Sequence, residues 1–320
     1  MTGRASEHGV HDAALARPRS APDPSPTHER GSGVSAPVVG WIGVGEMGRP
    51  MAANLVRAGW RVVAFDRDDE RLAAAAEAGI EAAADAAAVV AQADRVVTML
   101  RTGAQTEQLL LGPDGLVAAA GRPLDVVVMS TMDPESMQRL AVAAAAGGAT
   151  VLDVPVSGGV RGAEDASLSV MASGPADALE RAAPMLDLLG SRTYRLGDRA
   201  GASQAAKLAN QVMMAVSIAG TYEGLALARD YGLRDGPVID AVCAGTGASW
   251  PLAHWDWMRS LWEQYVPDNA LDILDKDLKA VVAAIAERGV EMPVTDATFR
   301  RLSTLWSAAR EQAAGQASSK

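Results

Sequence analysis

A glycine-rich turn between an apolar strand and a helix constrains this chain more than any other feature. The apolar run 38–42 leads into residues 43–48, Gly-Val-Gly-Glu-Met-Gly, and a helical pattern follows. Gly43 permits a tight turn, Gly45 lets the backbone approach a pyrophosphate, and Gly48 lets the helix pack on the strand. The order of strand, turn and helix predicts the first half of a dinucleotide-binding βαβ unit.

An acidic residue closes the second strand of this unit. The apolar run 62–65 ends in Asp66, about 20 residues beyond the glycine turn, where a carboxylate can accept hydrogen bonds from the adenosine ribose. Asp66 would repel the 2′-phosphate of NADP, although Arg67 beside it could accommodate that group. Glu46 and Met47 open the helix, whose N–H groups would face the phosphates. We therefore predict NAD as the cofactor, with NADP as the alternative.

Composition excludes several classes of protein. The chain has 320 residues, enough for two cored domains, and a single cysteine, Cys243, which excludes an internal disulfide and a Cys-rich metal site. That cysteine use indicates a reducing compartment, so we expect a cytoplasmic enzyme without a metal ion. No apolar stretch approaches the ~20 residues that cross a bilayer. The net charge of -10, without a basic block, argues against nucleic acid as a partner.

The chain divides by pattern into a tail, a sheet-rich part and a helical part. Residues 1–36 are rich in Pro, Ser, Gly and Arg, which predicts a disordered tail. Alternating strands and helices then predict a parallel sheet with helices on both faces. The predicted strands after Asp66 are 95–99, 125–129, 150–154, 167–172 and 192–196, with helices such as 85–92, 135–146 and 176–189 between them.

Beyond Gly201 only helices are predicted. They cover residues 202–231, 236–243, 251–263, 269–288 and 294–312. The predicted fold is therefore an α/β Rossmann domain over 37–200 and an all-helical domain over 201–314, joined by the long helix that begins at 202. Residues 315–320 are predicted to be a disordered end.

The scarcity of titratable side chains narrows the choice of a catalytic base. An enzyme that oxidises an alcohol needs a group to take the hydroxyl proton. Three of the four histidines lie within 1–36, which leaves His254, and lysine occurs only at positions 207, 276, 279 and 320. Arginine cannot lose its proton, whereas burial can bring a lysine pKa from about 10.4 toward about 7 or 8. Lys207 is the candidate base, and the alternative is a solvated helix-surface lysine.

Polar residues accompany Lys207 on its helix and at a turn upstream. Asn210 and Gln211 follow Lys207 by three and four positions, so all three share a helix face near the predicted domain junction. A Ser-Gly-Gly turn at 157–159 follows the strand 150–154, and its backbone N–H groups and hydroxyl could hold a carboxylate. The alternative is a tight loop that needs positive φ at its glycines.

A cluster of aromatic residues lies in the helical part. Four of the seven tryptophans, at 250, 255, 257 and 262, surround His254 in the sequence. This spacing favours helix packing or a dimer interface. The functional alternative is an apolar wall of the substrate pocket, with His254 contacting the ligand.

Together these segments resemble the 3-hydroxyisobutyrate dehydrogenase-like, or β-hydroxyacid dehydrogenase, family, from about Val38 to the final helix. The resemblance rests on residues 43–48 with 51–55, Ser130-Thr131 with Pro134, 153–159 with Gly162-Ala163, 207–210 and 276–278. It implies an NAD-binding domain like that of 6-phosphogluconate dehydrogenase, an all-helical second domain, and an oxidoreductase. The implied reaction interconverts a short 3-hydroxy acid and its semialdehyde with NAD(P), in a homodimer or homotetramer.

The resemblance also implies residue roles. Lys207 would be the general acid/base, Ser157, Gly158 and Gly159 would bind the substrate carboxylate, and Lys276 would lie near the nicotinamide and the substrate. The nicotinamide site would be lined by Leu100 and Thr131. Asn210 and Gln211 would contact the substrate.

Three positions depart from the family pattern. Gln211 replaces the second asparagine that usually contacts substrate, which points to a substrate other than the standard one. Arg101 replaces a proline and places a positive charge near the cofactor or the pocket mouth, and Val128 replaces a structural acid. None of these changes removes the candidate base.

Three other assignments compete with this one. Imine reductases share the architecture and motifs but usually lack lysine at the catalytic position, so Lys207 favours alcohol chemistry. A noncatalytic NAD-binding protein would explain Gln211 as decay, against the retention of Lys207, Ser157 and Lys276. A 6-phosphogluconate dehydrogenase would be longer and would carry a His-Asn pair after the lysine.

Overall fold

The computed structural model describes residues 37–267 and 269–318, so the predicted tail 1–36 and the last two residues lie outside the described part. Within that part the chain forms nine strands and fourteen helices. The strands are β1 (Val38–Ile42), β2 (Arg61–Phe65), β3 (Glu81–Ala82), β4 (Arg95–Thr98), β5 (Leu124–Val128), β6 (Ala149–Asp153), β7 (Val156–Ser157), β8 (Leu168–Ser173) and β9 (Gly190–Gly197).

Eight helices accompany the strands, and six form the part that follows. The first eight are α1 (Gly48–Arg57), α2 (Asp69–Glu77), α3 (Ala86–Val90), α4 (Gly103–Leu111), α5 (Leu116–Ala120), α6 (Pro134–Ala146), α7 (Gly159–Glu164) and α8 (Ala176–Leu186). The others are α9 (Ala202–Asp230), α10 (Asp235–Cys243), α11 (Trp250–Ala253), α12 (Trp255–Glu263), α13 (Ala270–Arg288) and α14 (Pro293–Ser318). The predicted fold class, a Rossmann-like sheet followed by a large helical part, is confirmed.

The strands pair in the order β3-β2-β1-β4-β5-β6-β8-β7, and β9 pairs with β8 along its other side. The pairs from β3 to β6 are parallel. Between β1 and β4 the direction of winding reverses. In open α/β sheets ligands bind at such a switch point, outside the carboxyl ends of the strands, so this edge is where a site is expected.

The sheet is not parallel throughout, which corrects the prediction. β7 and β8 are antiparallel to each other, and β8 is antiparallel to β6. Only residues 158–167 separate β7 from β8, fewer than the dozen or so residues that a parallel crossover needs.

Alternation along the strands builds a core on each face of the sheet. Val39 and Trp41 pack in one buried cluster with α1 and α8, whereas Ile42 belongs to a second cluster with α6. The same alternation places Val97 in the first cluster and Val96 in the second. Since both faces are covered, the parallel strands carry nearly continuous apolar sequences.

The helical part packs around the long helix α9. This helix has 29 residues and is therefore about 44 Å long. Its Ile218 and Leu225 form a core with Trp255, Leu302 and Trp306 from later helices. None of the described helices combines the length and apolarity required to cross a bilayer.

Two helix predictions differ from the structure. The single helix predicted over 251–263 is divided at His254, whose dihedral angles leave the helical region (φ -117°, ψ 29°) and whose ring contacts the Trp250 carbonyl. The last helix reaches Ser318 rather than ending near 312, so residues 315–318 are helical and not part of a disordered end. Alanine and glutamine favour continuation of the helix there, despite Gly315.

Candidate cofactor and active site

One cavity of about 1610 Å³ lies along the carboxyl edge of the sheet and extends to the first half of α9. It is larger than the roughly 300 to 1,000 Å³ of a pocket for one small ligand. The residues assigned from the sequence all line it: Gly43, Gly45, Glu46, Met47, Gly48, Asp66, Arg67, Leu100, Arg101, Thr131, Ser157, Gly158, Gly159, Lys207, Asn210, Gln211 and Lys276. The structure therefore brings the predicted cofactor-binding residues and the predicted catalytic and substrate-binding residues together on one surface.

The glycine turn has the shape of a dinucleotide cradle. Gly43 has a φ of +96°, and a Cβ there would overlap the Met99 carbonyl oxygen. A Cβ at Gly48 would overlap the Gly43 carbonyl oxygen, so the start of α1 can approach the turn only without a side chain. Gly45 differs, because a Cβ there would meet only Arg71, at 3.7 Å, and would stand in the cavity. The turn thus fits a phosphate group against its backbone.

Asp66 shapes this turn as well as facing the cavity. It follows β2, and its Oδ2 accepts a hydrogen bond of 2.9 Å from the Val44 N–H. Its Oδ1 accepts one of 3.1 Å from the Asp68 N–H. The carboxylate is therefore held at the position where an adenosine ribose would meet the strand end.

Lys207 lies on α9 and is buried, with 8 % of its surface exposed. Burial lowers the pKa of Lys207 below its ordinary value; the carboxylate of Asp277 opposes this shift and the positive charge of Lys276 adds to it. A lowered pKa makes it easier for a buried amine to release its proton. The solvated-surface alternative for Lys207 is therefore excluded.

Asp277 on α13 organises the polar groups around Lys207. It accepts a hydrogen bond of 2.6 Å from Nε2 of Gln211 and forms an ion pair of 3.1 Å with Nζ of Lys276. Lys276 Nζ also donates to the Arg101 carbonyl oxygen at 2.8 Å. This bond joins the helical part to the loop after β4. Asp277 lies within the motif at 276–278, but its role could not be predicted from the sequence because its partner Gln211 is 66 positions away.

The Ser-Gly-Gly turn begins at the end of β7 and meets α9. Gly158 and Gly159 have φ values of +137° and +66°, so the turn does need glycine, as the structural alternative required. Asn210 Nδ2 lies 3.4 Å from the Ser157 hydroxyl oxygen and 3.1 Å from the Gln211 amide oxygen. The turn and the polar face of α9 thus form one wall of the cavity.

The four tryptophans divide into two pairs. Trp255 and Trp262 pack together in the helical part, with ring centroids 5.9 Å apart. Trp250 and Trp257 line the cavity and are 46 % and 45 % exposed. His254 stacks on Trp250 at 4.2 Å and is not among the residues that line the cavity. One pair therefore serves packing, and the other forms an aromatic wall.

Comparison with known proteins agrees with this geometry. Residues 38–197 match the NAD-binding domain of 6-phosphogluconate dehydrogenase, and residues 201–319 match the NAD-binding region of NADP-dependent 3-hydroxyisobutyrate dehydrogenase. The 3-hydroxyisobutyrate dehydrogenase of Pseudomonas aeruginosa is 37 % identical over 252 residues, which are 77 % of this chain and 84 % of that protein.

Solved structures show the same relationship. The 3-hydroxyisobutyrate dehydrogenase of Mycobacterium tuberculosis, solved with L-serine, superposes with a TM-score of 0.74 at 30 % identity, over 85 % of this chain and 94 % of that one. An imine reductase of Streptomyces aurantiacus superposes with a TM-score of 0.60 at 23 % identity, over 85 % of this chain and 95 % of that one, and shares the fold alone. Both halves of the chain and its relatives lead to one assignment: the chain belongs to the 3-hydroxyisobutyrate dehydrogenase-like family of NAD(P)-dependent oxidoreductases.

Proposed function

We propose that the protein interconverts a short 3-hydroxy acid and its semialdehyde or keto acid with NAD(P), and that Lys207 is the general acid/base. The observation that carries this proposal is the buried amine of Lys207, whose pKa is lowered, on the same cavity as the glycine turn. Both groups are needed on one surface if a proton and a hydride are to leave the same carbinol.

Oxidation removes a proton and a hydride from the same carbinol. NAD(P), when bound along the cavity, would supply the hydride acceptor in oxidation and the hydride donor in reduction. In oxidation the neutral amine of Lys207 takes the hydroxyl proton, and in reduction its ammonium form returns that proton to the new hydroxyl oxygen. Because burial favours the neutral amine, Lys207 is poised for the first of these steps.

The Ser-Gly-Gly turn is the proposed carboxylate site. Asn210 directs an amide N–H toward the Ser157 oxygen, so the hydroxyl hydrogen of Ser157 is left for another acceptor. That hydrogen and the N–H groups of Gly158 and Gly159 would hold a carboxylate. Gln211 already bonds Asn210 and Asp277, and its second amide N–H would reach the substrate.

The cofactor would lie along the remainder of the cavity. Its pyrophosphate would bind at Gly43, Gly45 and Gly48 with the Glu46 and Met47 backbone, and its ribose at Asp66 beside Arg67. The nicotinamide would lie between Leu100, Arg101, Thr131 and Lys276. The negative charge of Asp66 supports NAD over NADP.

The named relatives support the substrate class. Both 3-hydroxyisobutyrate and the L-serine found with the M. tuberculosis enzyme are short acids with a hydroxyl on the third carbon. Lys207 and Ser157 line the same cavity, and such a molecule carries its carboxylate and its hydroxyl two carbons apart, so one substrate could contact both residues. The single cysteine supports the proposed cytoplasmic location.

A substrate panel tests this function. Purified protein is assayed for reduction of NAD and NADP with short 3-hydroxy acids, and for reduction of cyclic imines with NADPH. We expect turnover of one or a few 3-hydroxy acids, with NAD preferred. Faster reduction of imines would assign imine reductase chemistry instead, and NAD binding without any turnover would indicate a noncatalytic protein.

The aromatic wall yields a prediction about selectivity. We expect Trp250→Ala to change the ranking of hydroxy acids by kcat/KM about tenfold, because the indole lines the cavity. The matched variant is Trp255→Ala, which removes a buried indole and should cost about 3 to 5 kcal/mol of unfolding free energy with the ranking kept. Kinetics on the panel and thermal melting separate the two; an unchanged ranking in Trp250→Ala would assign Trp250 to packing.

Self-association is proposed for the far end of α9. Leu227, Tyr231 and Leu233 are 61 %, 78 % and 56 % exposed, and no residue of α10 is buried. A second copy of the chain would remove these apolar side chains from water. Light scattering is expected to give two or four times the chain mass of 33.1 kDa, and a lower mass in Tyr231→Lys. A monomeric wild type would contradict the proposal.

A further inference from the structure

A buried carboxylate holds the start of α9. Asp153, the last residue of β6, is fully buried, and its Oδ2 accepts hydrogen bonds from the Gly201 N–H at 2.8 Å and the Gln204 N–H at 3.2 Å. The Ser173 hydroxyl, from the end of β8, donates to the same oxygen at 3.1 Å. These N–H groups belong to the first turn of a helix, where they have no partner within the helix itself. A strand end thus caps α9 in place of a residue of the helix.

Gln204 extends this network to a third strand end. Its Nε2 donates to Asp153 Oδ1 at 2.9 Å and to the Ser130 carbonyl oxygen at 3.1 Å. Its Oε1 accepts from the Met132 N–H at 2.9 Å. Both polar atoms of this amide are therefore used, in bonds to the end of β6 and to the segment that follows β5.

The network connects the two halves of the proposed active site, which are the segments at Leu100 and Thr131 and the part of α9 that carries Lys207. On one side, the Ser130 hydroxyl oxygen accepts the Leu100 N–H at 2.9 Å, and Thr131 lies between the two residues that Gln204 binds. On the other side, Lys207 follows Gln204 by three positions, so the two side chains share a helix face. Leu100, Thr131 and Lys207 all line the cavity.

We propose that Asp153 and Gln204 are positioning residues for catalysis, which fix the Lys207 amine relative to the nicotinamide-facing segments at Leu100 and Thr131. This inference rests on the proposed role of Lys207. Neither residue is among those that line the cavity, so they act on the reaction only through α9 and the segment after β5 that they hold in place.

The chemistry of the network distinguishes positioning from simple packing. A buried carboxylate is costly, and burial raises the pKa of Asp153 while its four hydrogen bonds oppose that shift. Among the described residues Asp153 forms no ion pair that would offset the cost. An apolar residue would fill the space more cheaply. Apolar contacts have no direction, however. The five hydrogen bonds that join Gly201 and Gln204 to Asp153, Ser130 and Met132 do have direction, so they fix both the rotation of α9 about its axis and its position along that axis.

The experiment uses Asp153→Asn, which keeps the shape of the side chain. One of the two oxygens becomes an NH₂ group and must face a donor, either Gln204 Nε2 or the N–H groups of α9, so the helix shifts. We expect kcat to fall about 10- to 100-fold, with the Kd of NAD within about twofold of the wild-type value. With substrate deuterated at the hydroxyl-bearing carbon, the isotope effect on kcat should rise because the chemical step becomes slower than product release.

A matched variant separates this result from lost stability. Leu225→Ala removes a buried side chain from the distant half of α9, so it should lower the melting temperature without changing kcat per NAD-binding site or the isotope effect. Gln204→Met, which lacks the directed bonds but keeps the length, should behave like Asp153→Asn if that variant does not fold. In both Asp153→Asn and Gln204→Met, the fall in kcat should be accompanied by faster amide hydrogen exchange at residues 201–204, measured without cofactor.

The outcomes distinguish this inference from the proposed function. Wild-type kcat and isotope effect in both Asp153→Asn and Gln204→Met, in an enzyme that Lys207→Ala inactivates, would overturn the positioning role alone. Full activity of Lys207→Ala would overturn the assignment of the base, and the positioning inference with it. Loss of kcat with a raised isotope effect only in the two network variants, and not in Leu225→Ala, would support the inference.

Discussion

Lys207→Ala is expected to lower kcat for the favoured hydroxy acid at least ~100-fold, because general acid/base catalysis contributes about 10² to 10⁴ in rate. The Kd of NAD should change little, since the glycine turn and Asp66 that would hold most of the cofactor are untouched. Steady-state kinetics and fluorescence titration with NAD measure the two effects. Wild-type kcat in this variant would show that another group carries the proton.

Two further variants sharpen this test. Lys207→Arg keeps a positive charge on a long side chain but cannot lose its proton, so it should be as inactive as the alanine variant. Lys279→Ala removes an exposed lysine that pairs with Asp275 on α13, and it should keep kcat. Activity in Lys207→Arg would mean that charge, and not proton transfer, is what Lys207 contributes.

The pH dependence has a definite sign. Oxidation needs the neutral amine, so its kcat should rise with pH through the pKa of Lys207, which burial places below the ordinary value of about 10.4. Reduction needs the ammonium form, so its kcat should fall over the same interval. A rise in oxidation only at the pH of a free lysine would contradict the effect of burial.

Gly45→Ala is expected to raise the Kd of NAD at least tenfold while the melting temperature of the free protein stays close to the wild-type value. The added methyl group would meet only Arg71, at 3.7 Å, and would occupy the space that the pyrophosphate needs. A tenfold change in Kd corresponds to about 1.4 kcal/mol of binding free energy. Calorimetric titration with NAD and a thermal melt measure the two quantities.

Gly48→Ala is the informative comparison. Its methyl group would overlap the Gly43 carbonyl oxygen, so this variant should lose stability even without cofactor. A drop in melting temperature in both variants would show that Gly45, too, serves packing. Unchanged NAD affinity in Gly45→Ala would place the pyrophosphate elsewhere on the cavity.

Local patterns explain why much of the fold and site could be predicted. The glycine turn needs neighbouring residues only, and the face shared by Lys207, Asn210 and Gln211 follows from helix geometry. Asp66 follows its strand directly, so its place at the sheet edge is set by that strand. Features within about one supersecondary unit were therefore readable from the chain.

Contacts across long sequence separations could not be predicted. Gln204 meets Asp153 across 51 positions, and Gln211 meets Asp277 across 66. No periodicity records which polar groups will face each other when the helical part packs against the sheet. The strand β3 was missed for a different reason: it has two exposed residues and therefore no apolar pattern.

The strand β9 bears on how copies of this protein avoid unwanted association. It forms the border of the sheet, pairing with β8 alone among the described strands, and its Arg192 and Arg195 are exposed. Suppose that the β9 strands of two copies paired antiparallel, with Thr193 of each copy opposite Tyr194 of the other. Arg192 of each copy would then lie opposite Arg195 of the other. Like charges directly opposite across a strand pair repel. Repulsion of this kind would oppose growth of the sheet from molecule to molecule in that register, and would leave association to the helical surface proposed above.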